Sequence, residues 1–151
     1  MKFTHAFLAL ALLGCAGLAQ AADNCSISLK ANDAMQYDLK TATVSAGCAT
    51  ITIELTHTGK LPVTTMGHNV VIAKTADIAA IDSAGIKAGA ASHYVAKGDA
   101  RVIASSTLVG GGQKTRITLP GKKLTAGGDY SFFCSFPGHS TIMKGKLVVT
   151  K

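Results

Sequence analysis

The chain has 151 residues, of which 48% are hydrophobic, and a formal net charge of +7. A chain of this length forms a single domain that can bury a core without a metal ion or disulfide bonds, so any metal site would serve a function. The positive charges do not form a cluster between aromatic residues, which gives nucleic-acid binding little support. They are compatible with electrostatic attraction to an acidic partner.

The N-terminus has the pattern of a secretory signal peptide. Lys2 precedes an apolar run over residues 6–13, and Ala19-Gln20-Ala21 supplies the small residues of a cleavage site. The apolar run is too short to cross a membrane as a permanent helix. We therefore predict a signal peptide over residues 1–21, export to the bacterial periplasm, and a mature domain over residues 22–151.

A second cleavage site is an alternative. The sequence Leu12-Leu13-Gly14-Cys15 also has the form of a bacterial lipoprotein box, which would leave a lipidated Cys15 as the first mature residue. We favour cleavage after Ala21, because a signal ending at Gly14 would be short and Leu13 is uncommon at its position in that box. The net charge would then fall from +7 to +6, since one lysine and no acidic residue are removed.

Short runs of β-branched and aromatic residues follow, separated by turns that contain glycine or proline. The most regular run alternates apolar and polar residues and places His57 on the same face as Ile53 and Leu55. This pattern predicts strands over residues 25–29, 42–44, 50–57, 69–73, 101–104, 114–119, 129–133 and 146–149.

One stretch, residues 75–87, instead has a helical period. Ile78, Ile81 and Gly85 recur at helical spacing, and Thr75 is a candidate for the capping residue. Many short strands with one inserted helix are typical of a two-sheet β-sandwich. The predicted fold class is therefore all-β, an antiparallel sandwich with one short helix.

The cysteines divide into a pair and a single thiol. The chain has four cysteines, and three remain if Cys15 leaves with the signal peptide. An exported chain would pair two of them, and we predict a Cys25–Cys48 disulfide bond near the mature N-terminus. Closing a loop of that length contributes about 3 kcal/mol of stability in the chain-entropy account. Cys134 then remains unpaired, and its neighbours favour metal binding.

The strongest functional signal is the segment over residues 134–143, which carries Cys134, His139 and Met143. Thiolate, imidazole and thioether together suit copper, and one Cys and two His with a long axial Met form the blue-copper electron-transfer site. The segment lacks one imidazole, and His68 is the obvious candidate. We predict one type 1 copper that cycles between Cu(II) and Cu(I).

Each of these residues also has a simpler interpretation. His68 or Met143 alone would be an ordinary buried residue, but chance assembly of all four groups is improbable. Zinc is disfavoured because thioether is not among its usual ligands. A copper chaperone or storage protein, or a copper-dependent reductase or oxidase, are the alternative functions. The former needs labile ligands and the latter a second copper site, so we predict that the protein is not an enzyme.

With these motifs the chain resembles the cupredoxin family of type 1 blue copper proteins, and in particular its azurin group, from about Cys25 to the C-terminus. The resemblance rests on residues 66–69 and 134–145. It implies a Greek-key sandwich and the ligands already named, with the Gly67 carbonyl as a weak axial donor. It also implies that Asn69 joins the two ligand loops and that the Phe136 amide donates to the sulfur.

The resemblance further implies how electrons enter and leave. In the family the edge of the second histidine ligand emerges through an apolar patch, which here would surround His139. Its residues would be Met35, Leu61, Met66, Phe136, Pro137, Gly138 and Ile142. The implied partners are redox proteins such as c-type cytochromes and a terminal reductase or dehydrogenase, met by a monomer.

Two histidines of the predicted mature domain are left over. The alternation places His57 on the apolar side of its strand, where a packed histidine is the simpler interpretation. The sharper hypothesis is that His57 lies near the copper and couples its potential to pH. His93 follows the helical stretch and is most simply a surface residue.

Overall fold

The structure is a computed structural model that describes residues 24–151. The predicted signal peptide, the alternative lipidation site at Cys15 and the start of the predicted domain lie outside these residues. The described strands are β1 (Ser26–Asn32), β2 (Gln36–Tyr37), β3 (Thr41–Ser45), β4 (Ile51–His57), β5 (Val71–Lys74), β6 (Ala104–Ser105), β7 (Lys114–Leu119), β8 (Tyr130–Phe133) and β9 (Lys144–Thr150). Two α-helices, α1 (Val63–Met66) and α2 (Ile78–Ala88), complete the main elements.

The strands form two sheets that face each other, in the orders β2-β1-β4-β7 and β3-β9-β8-β5-β6. The predicted β-sandwich with an inserted helix is therefore confirmed. The pairing is antiparallel except between β1 and β4 and between β3 and β9, which are parallel. Strand β3 lies in the second sheet and β4 returns to the first, so β4 runs beside β1 in the same direction. A crossover connection of this kind is what a parallel pair requires.

The core lies between the two sheets. Strand β4 alternates strictly, and Ile51, Ile53, Leu55 and His57 are all buried. The predicted disulfide bond is present between Cys25 and Cys48, with a Cα–Cα distance of 5.7 Å, which is ordinary for a disulfide. It joins the chain at the start of β1 to the segment before β4, at one end of the sandwich.

Helix α2 covers the outer face of the second sheet. Ile78 and Ile81 pack there against Val71, Ala73 and Phe133. Apart from the exposed Lys74, strands β5 and β8 are consequently buried on both faces, which explains why neither strand alternates apolar and polar residues.

Several boundaries differ from the prediction. Thr75 does not cap α2, because its hydroxyl bonds the side chains of Asp129 and Ser131, and α2 begins three residues later, at Ile78. The strand predicted over residues 101–104 is reduced to β6, because Asp99 accepts hydrogen bonds from both the backbone and the guanidinium of Arg101 and forms a turn there. Within residues 24–151 no helix is long and apolar enough to cross a membrane.

Candidate metal centre

The predicted ligands converge at one end of the sandwich. His68 follows α1, and its backbone forms an antiparallel bridge with Val109. Cys134 follows β8 directly, and His139 and Met143 lie in the loop that leads to β9. The four side chains come from two loops and are buried: His139 is 3% exposed and the other three are 0% exposed.

The donor atoms of three of these residues face one another. Cys134 Sγ lies 3.9 Å from His68 Nδ1 and 3.6 Å from His139 Nδ1. Nitrogen and sulfur donors that bind one transition ion at about 2.0–2.3 Å and 120° apart are separated by about 3.8 Å. The observed spacing therefore fits a single ion between Cys134, His68 and His139. They form the one cluster of potential metal ligands in the described chain.

The loop backbone fixes the spacing of the ligands. The Cys134 amide donates to the carbonyl of Met143 at 3.0 Å, and the Met143 amide donates to the carbonyl of His139 at 2.8 Å. The turn between Cys134 and His139 passes through Gly138, whose φ is +81°, and this conformation favours glycine. The Cys-x4-His-x3-Met spacing of the sequence is thus the spacing of a hydrogen-bonded loop.

Gly67 lies against the same site. Its carbonyl oxygen is 3.9 Å from Cys134 Sγ, on a buried residue. A Cβ atom at this position would lie 2.5 Å from the carbonyl oxygen of Val63 and 3.0 Å from the ring of Phe136. Only glycine allows the backbone to come this close.

The two histidines are held as neutral imidazoles. Burial lowers the pKa of His68 to about 4, and burial also lowers the pKa of His139. The Nε2 atom of His68 donates to the carbonyl of Asn32 at 2.9 Å. This bond leaves the lone pair of Nδ1 directed at the centre, since a neutral imidazole carries one proton.

Cys134 is a thiol when no cation is bound. Burial raises its pKa to about 12, and the negative charge of Asp82 adds to this. The backbone amides of Asn69 and Phe136 act in the opposite direction, because they donate hydrogen bonds to the sulfur. A metal cation would supply the charge that displaces the proton, since coordination deprotonates a thiol.

Asn69 joins the two ligand loops. Its Oδ1 atom accepts from the Ser135 amide at 2.9 Å, and its Nδ2 atom donates to the Ser135 hydroxyl at 2.8 Å. The hydroxyl of Tyr37 donates to the Asn69 carbonyl at 2.5 Å. Asn69, which follows His68, is therefore coupled to Ser135, which follows Cys134.

His57 packs against the candidate ligand His68. It is fully buried, and its ring stacks on His68 with centroids 4.4 Å apart. Its Nε2 atom donates to the carbonyl of Met66 at 2.9 Å, and its Nδ1 atom accepts from the Gly59 amide at 3.0 Å. The alternation of β4 placed it correctly on the apolar side.

The residues of the predicted patch differ in their exposure. Ile142 is 54% exposed and Leu61 is 38% exposed, and Pro137 and Gly138 are also exposed. Phe136 is half-buried with its ring 4.7 Å from that of His139. Met35 and Met66 are half-buried as well.

The sequence prediction missed two residues near this surface. Val63 is 38% exposed and lines a groove of about 340 Å³ with Tyr94, Leu108 and Phe136. It lies in α1, whose four residues give no periodic signal. His93, predicted to be a simple surface residue, is half-buried and hydrogen-bonded to Asn69 and Ser135 through its carbonyl. Backbone contacts of this kind leave no trace in the residue type.

Comparison with known proteins gives a consistent result. The family described as copper binding proteins, plastocyanin/azurin family, matches residues 23–150. The azurin of Alcaligenes faecalis is 49% identical over 123 residues, which are 82% of this chain and 96% of that protein. The azurin of Bordetella pertussis is 48% identical over 126 residues, or 83% of this chain and 84% of that protein.

A solved structure is also similar. The azurin Az-iso2 of the obligate methylotroph Methylomonas sp. strain J superposes with a TM-score of 0.81 at 38% sequence identity. The match covers 84% of this chain and 98% of that chain.

Proposed function

The chain belongs to the plastocyanin/azurin family of copper-binding proteins, and on that premise we propose that Cys134, His68, His139 and Met143 hold its copper. Cys134 supplies the thiolate, and the two histidines supply neutral Nδ1 atoms. Met143, which lies fully buried in the same loop as Cys134 and His139, would supply a weak thioether ligand, and the Gly67 carbonyl oxygen lies 3.9 Å from the sulfur. The observation that carries the assignment is the convergence of buried Sγ and Nδ1 atoms at 3.6–3.9 Å.

The protein is an electron-transfer protein with one type 1 copper. Copper supplies a Cu(II)/Cu(I) couple that takes up and releases one electron. The chain contributes rigidity, because the ligand loops are tied to each other by Asn69 and the Cys134 loop closes on its own backbone. Donors that do not move between the two oxidation states keep the reorganisation small, which favours fast transfer.

The burial of the ligands supports a carrier over the alternative functions. A chaperone must release its metal, whereas these side chains are buried and hydrogen-bonded from behind. A reductase or oxidase would need a further copper site and a free coordination position. Both ring nitrogens of His57 and one of His93 are engaged in hydrogen bonds within the protein. The protein is therefore proposed not to be an enzyme.

We place the electron route at His139 and the patch around it. The ring of His139 lies against that of Phe136, with centroids 4.7 Å apart, and the predicted patch contains the exposed apolar residues Ile142 and Leu61. Weak redox encounters use small interfaces, and this patch has that character. Redox proteins such as c-type cytochromes, together with a terminal reductase or dehydrogenase, are the proposed partners of a monomer.

The proposed location is the bacterial periplasm. The support is the signal-peptide pattern over residues 1–21 and the Cys25–Cys48 disulfide bond, which is typical of an oxidising compartment. The proposed mature domain spans residues 22–151. Mass spectrometry of the exported protein tests the cleavage site, since a mass that includes a lipidated Cys15 would overturn it.

Copper loading of the purified domain tests the function. We expect an intensely blue protein that bleaches reversibly with ascorbate and consumes neither oxygen nor nitrite. A colourless Cu(II) form, or turnover of either substrate, would contradict the proposal.

Two variants test the ligand set. Cys134→Ser should abolish the blue absorption, whereas Met143→Ala should keep it and shift the potential. Ile142→Ala, a nearby exposed residue that is not a ligand, is the matched control and should leave the absorption unchanged. The same absorption in the Cys134 variant would refute the thiolate assignment.

A further inference from the structure

His93 lies in the loop between α2 and β6, in an unusual backbone conformation. Both His93 and Tyr94 have φ +54°, the left-handed region that costs a residue with a side chain of this size free energy. The loop is fixed by backbone bonds from His93 to Ala90 and from Tyr94 to Gly89. On the other side, Gly85 of α2 packs against the Tyr94 carbonyl so closely that a Cβ atom could not fit. The conformation is therefore imposed by its surroundings.

The consequence of this conformation is the position of the His93 carbonyl. It accepts a hydrogen bond from Asn69 Nδ2 at 3.0 Å and a longer one from the Ser135 hydroxyl at 3.4 Å. These are the two residues that couple the ligand loops. One carbonyl oxygen therefore orients both members of the Asn69–Ser135 pair.

The imidazole of His93 makes a second connection. Its Nδ1 atom accepts a hydrogen bond from the backbone amide of Leu108 at 3.3 Å, so the ring proton resides on Nε2. The residue after Leu108 is Val109, which exchanges two backbone hydrogen bonds with His68 at 2.9 and 3.0 Å. The ring therefore holds the segment that fixes the backbone of His68.

We propose that His93 is a positioning residue of the copper centre, which uses its carbonyl to orient Asn69 and Ser135 and its imidazole to anchor the Leu108 segment. This rests on the proposed ligand set. His93 touches no ligand itself, and it acts through Asn69, whose backbone amide donates to the Cys134 sulfur.

The direction of the effect follows from that amide. Hydrogen bonds to a thiolate withdraw charge from it and so favour the reduced metal. If the imidazole is lost, the Leu108 segment and the His93 loop are no longer joined, and the donors to the sulfur are held less firmly. Loss of the imidazole should therefore stabilise the Cu(II) form relative to the Cu(I) form.

The test compares variants that separate the ring from the backbone. His93→Gly keeps the left-handed conformation at no steric cost but removes the acceptor. His93→Asn tolerates the same conformation and offers Oδ1 in place of Nδ1. His93→Ala is a second variant without an acceptor, which replaces the glycine variant if that variant does not fold.

Three measurements decide the outcome. The equilibrium constant for electron exchange with a reference carrier should shift about three- to tenfold towards oxidised copper in His93→Gly. It should return to within about twofold of the parent in His93→Asn. In the metal-free protein, hydrogen exchange of the Leu108 amide should accelerate in the glycine and alanine variants but not in His93→Asn, which gives a readout that does not need copper.

The contradicting results are distinct. If His93→Gly and His93→Ala lower only the thermal stability and leave the exchange equilibrium and the paramagnetic resonance spectrum unchanged, His93 merely stabilises its loop. If His93→Asn behaves like His93→Gly, the Nδ1 acceptor is not the feature that matters. If the parent itself is not blue, the ligand set has failed, and the Leu108 exchange rates still report on the anchor.

Discussion

Tyr37→Phe tests how far the centre depends on the core behind it. The Tyr37 side chain is 2% exposed, with its ring against Phe132 at 5.6 Å and its hydroxyl on the carbonyl of Asn69. Phenylalanine keeps the ring and its packing but removes the donor. The carbonyl of Asn69, a residue that is 0% exposed, then has no partner from this side.

The magnitude follows from the burial of the acceptor. Leaving a buried carbonyl without a hydrogen bond costs about 1–3 kcal/mol, and the unchanged ring adds no cavity term. We expect the free energy of unfolding to fall by about 2 kcal/mol. At this chain length each kcal/mol lowers the melting temperature by about 3–5 °C, so the melting temperature should fall by about 6–10 °C. Urea unfolding of the metal-free protein is the assay, because bound metal would stabilise the native state by mass action.

Tyr130→Phe is the matched control. Tyr130 is also buried, but its hydroxyl accepts from the amide of the exposed Thr125 at 3.2 Å. Water can replace that hydroxyl, so the free energy of unfolding should fall by less than about 1 kcal/mol in this variant. Equal losses in the two variants, or no loss in Tyr37→Phe, would refute the view that the Asn69 carbonyl depends on Tyr37.

Further predictions concern the disulfide bond, the Asp99–Arg101 ion pair and Gly67. Replacing both Cys25 and Cys48 by alanine should lower the free energy of unfolding by about 3 kcal/mol and leave the blue absorption unchanged, as urea unfolding and spectra will show. The Arg101 guanidinium holds the pKa of Asp99 below its usual range, so this pair stabilises the fold above the pKa of the unfolded carboxyl and loses that contribution as the pH falls through the folded pKa. Titration of the Asp99 carboxyl by NMR should show this pKa rise in Arg101→Gln, and an unchanged value would contradict the pairing. Gly67→Ala should displace Val63 or Phe136 and alter the copper spectrum, whereas Gly47→Ala, where an added Cβ meets only the Ser45 hydroxyl at 3.2 Å, should not.

The sequence predicts the ligands because their chemistry and spacing are encoded in residue types. A Cys, a His and a Met in one loop need only the loop's own hydrogen bonds to converge, and those bonds fix the observed spacing. His68 required a long-range step, because a chain segment more than 60 residues away supplies it. The prediction of His68 rests on its neighbours in the segment Met66-Gly67-His68-Asn69.

What the sequence did not predict depends on backbone geometry. The carbonyl of His93 acts through its position, and any residue has a carbonyl, so nothing in the sequence marked it. Strand β2 has two residues and cannot show a period, and the same holds for the four-residue helix α1. The strand predicted over residues 101–104 is shortened to β6 by a side-chain interaction, since the Asp99 carboxylate competes with sheet pairing.

No pattern in the sequence marks Asp82, yet the structure gives its carboxylate an unusual environment. It lies on α2 between the buried Ile81 and the buried Gly85, and one of its carboxylate oxygens is buried with no hydrogen-bond partner among the described residues. Its charge contributes to raising the pKa of Cys134. A negative charge that disfavours the thiolate at a site also disfavours the uptake of an electron there. Removing it should therefore favour Cu(I).

Two substitutions separate the charge from the burial. Asp82→Asn and Asp82→Val both remove the charge, so both should shift electron exchange with a reference carrier towards reduced copper by a similar factor. Only Asp82→Val also removes the buried polar atom, and since valine and aspartate have similar helix propensities, its free energy of unfolding should rise by about 1 kcal/mol. If the exchange equilibrium stays at the parent value in both variants, the carboxylate does not act on the centre, because the lost charge is the one change the two variants share.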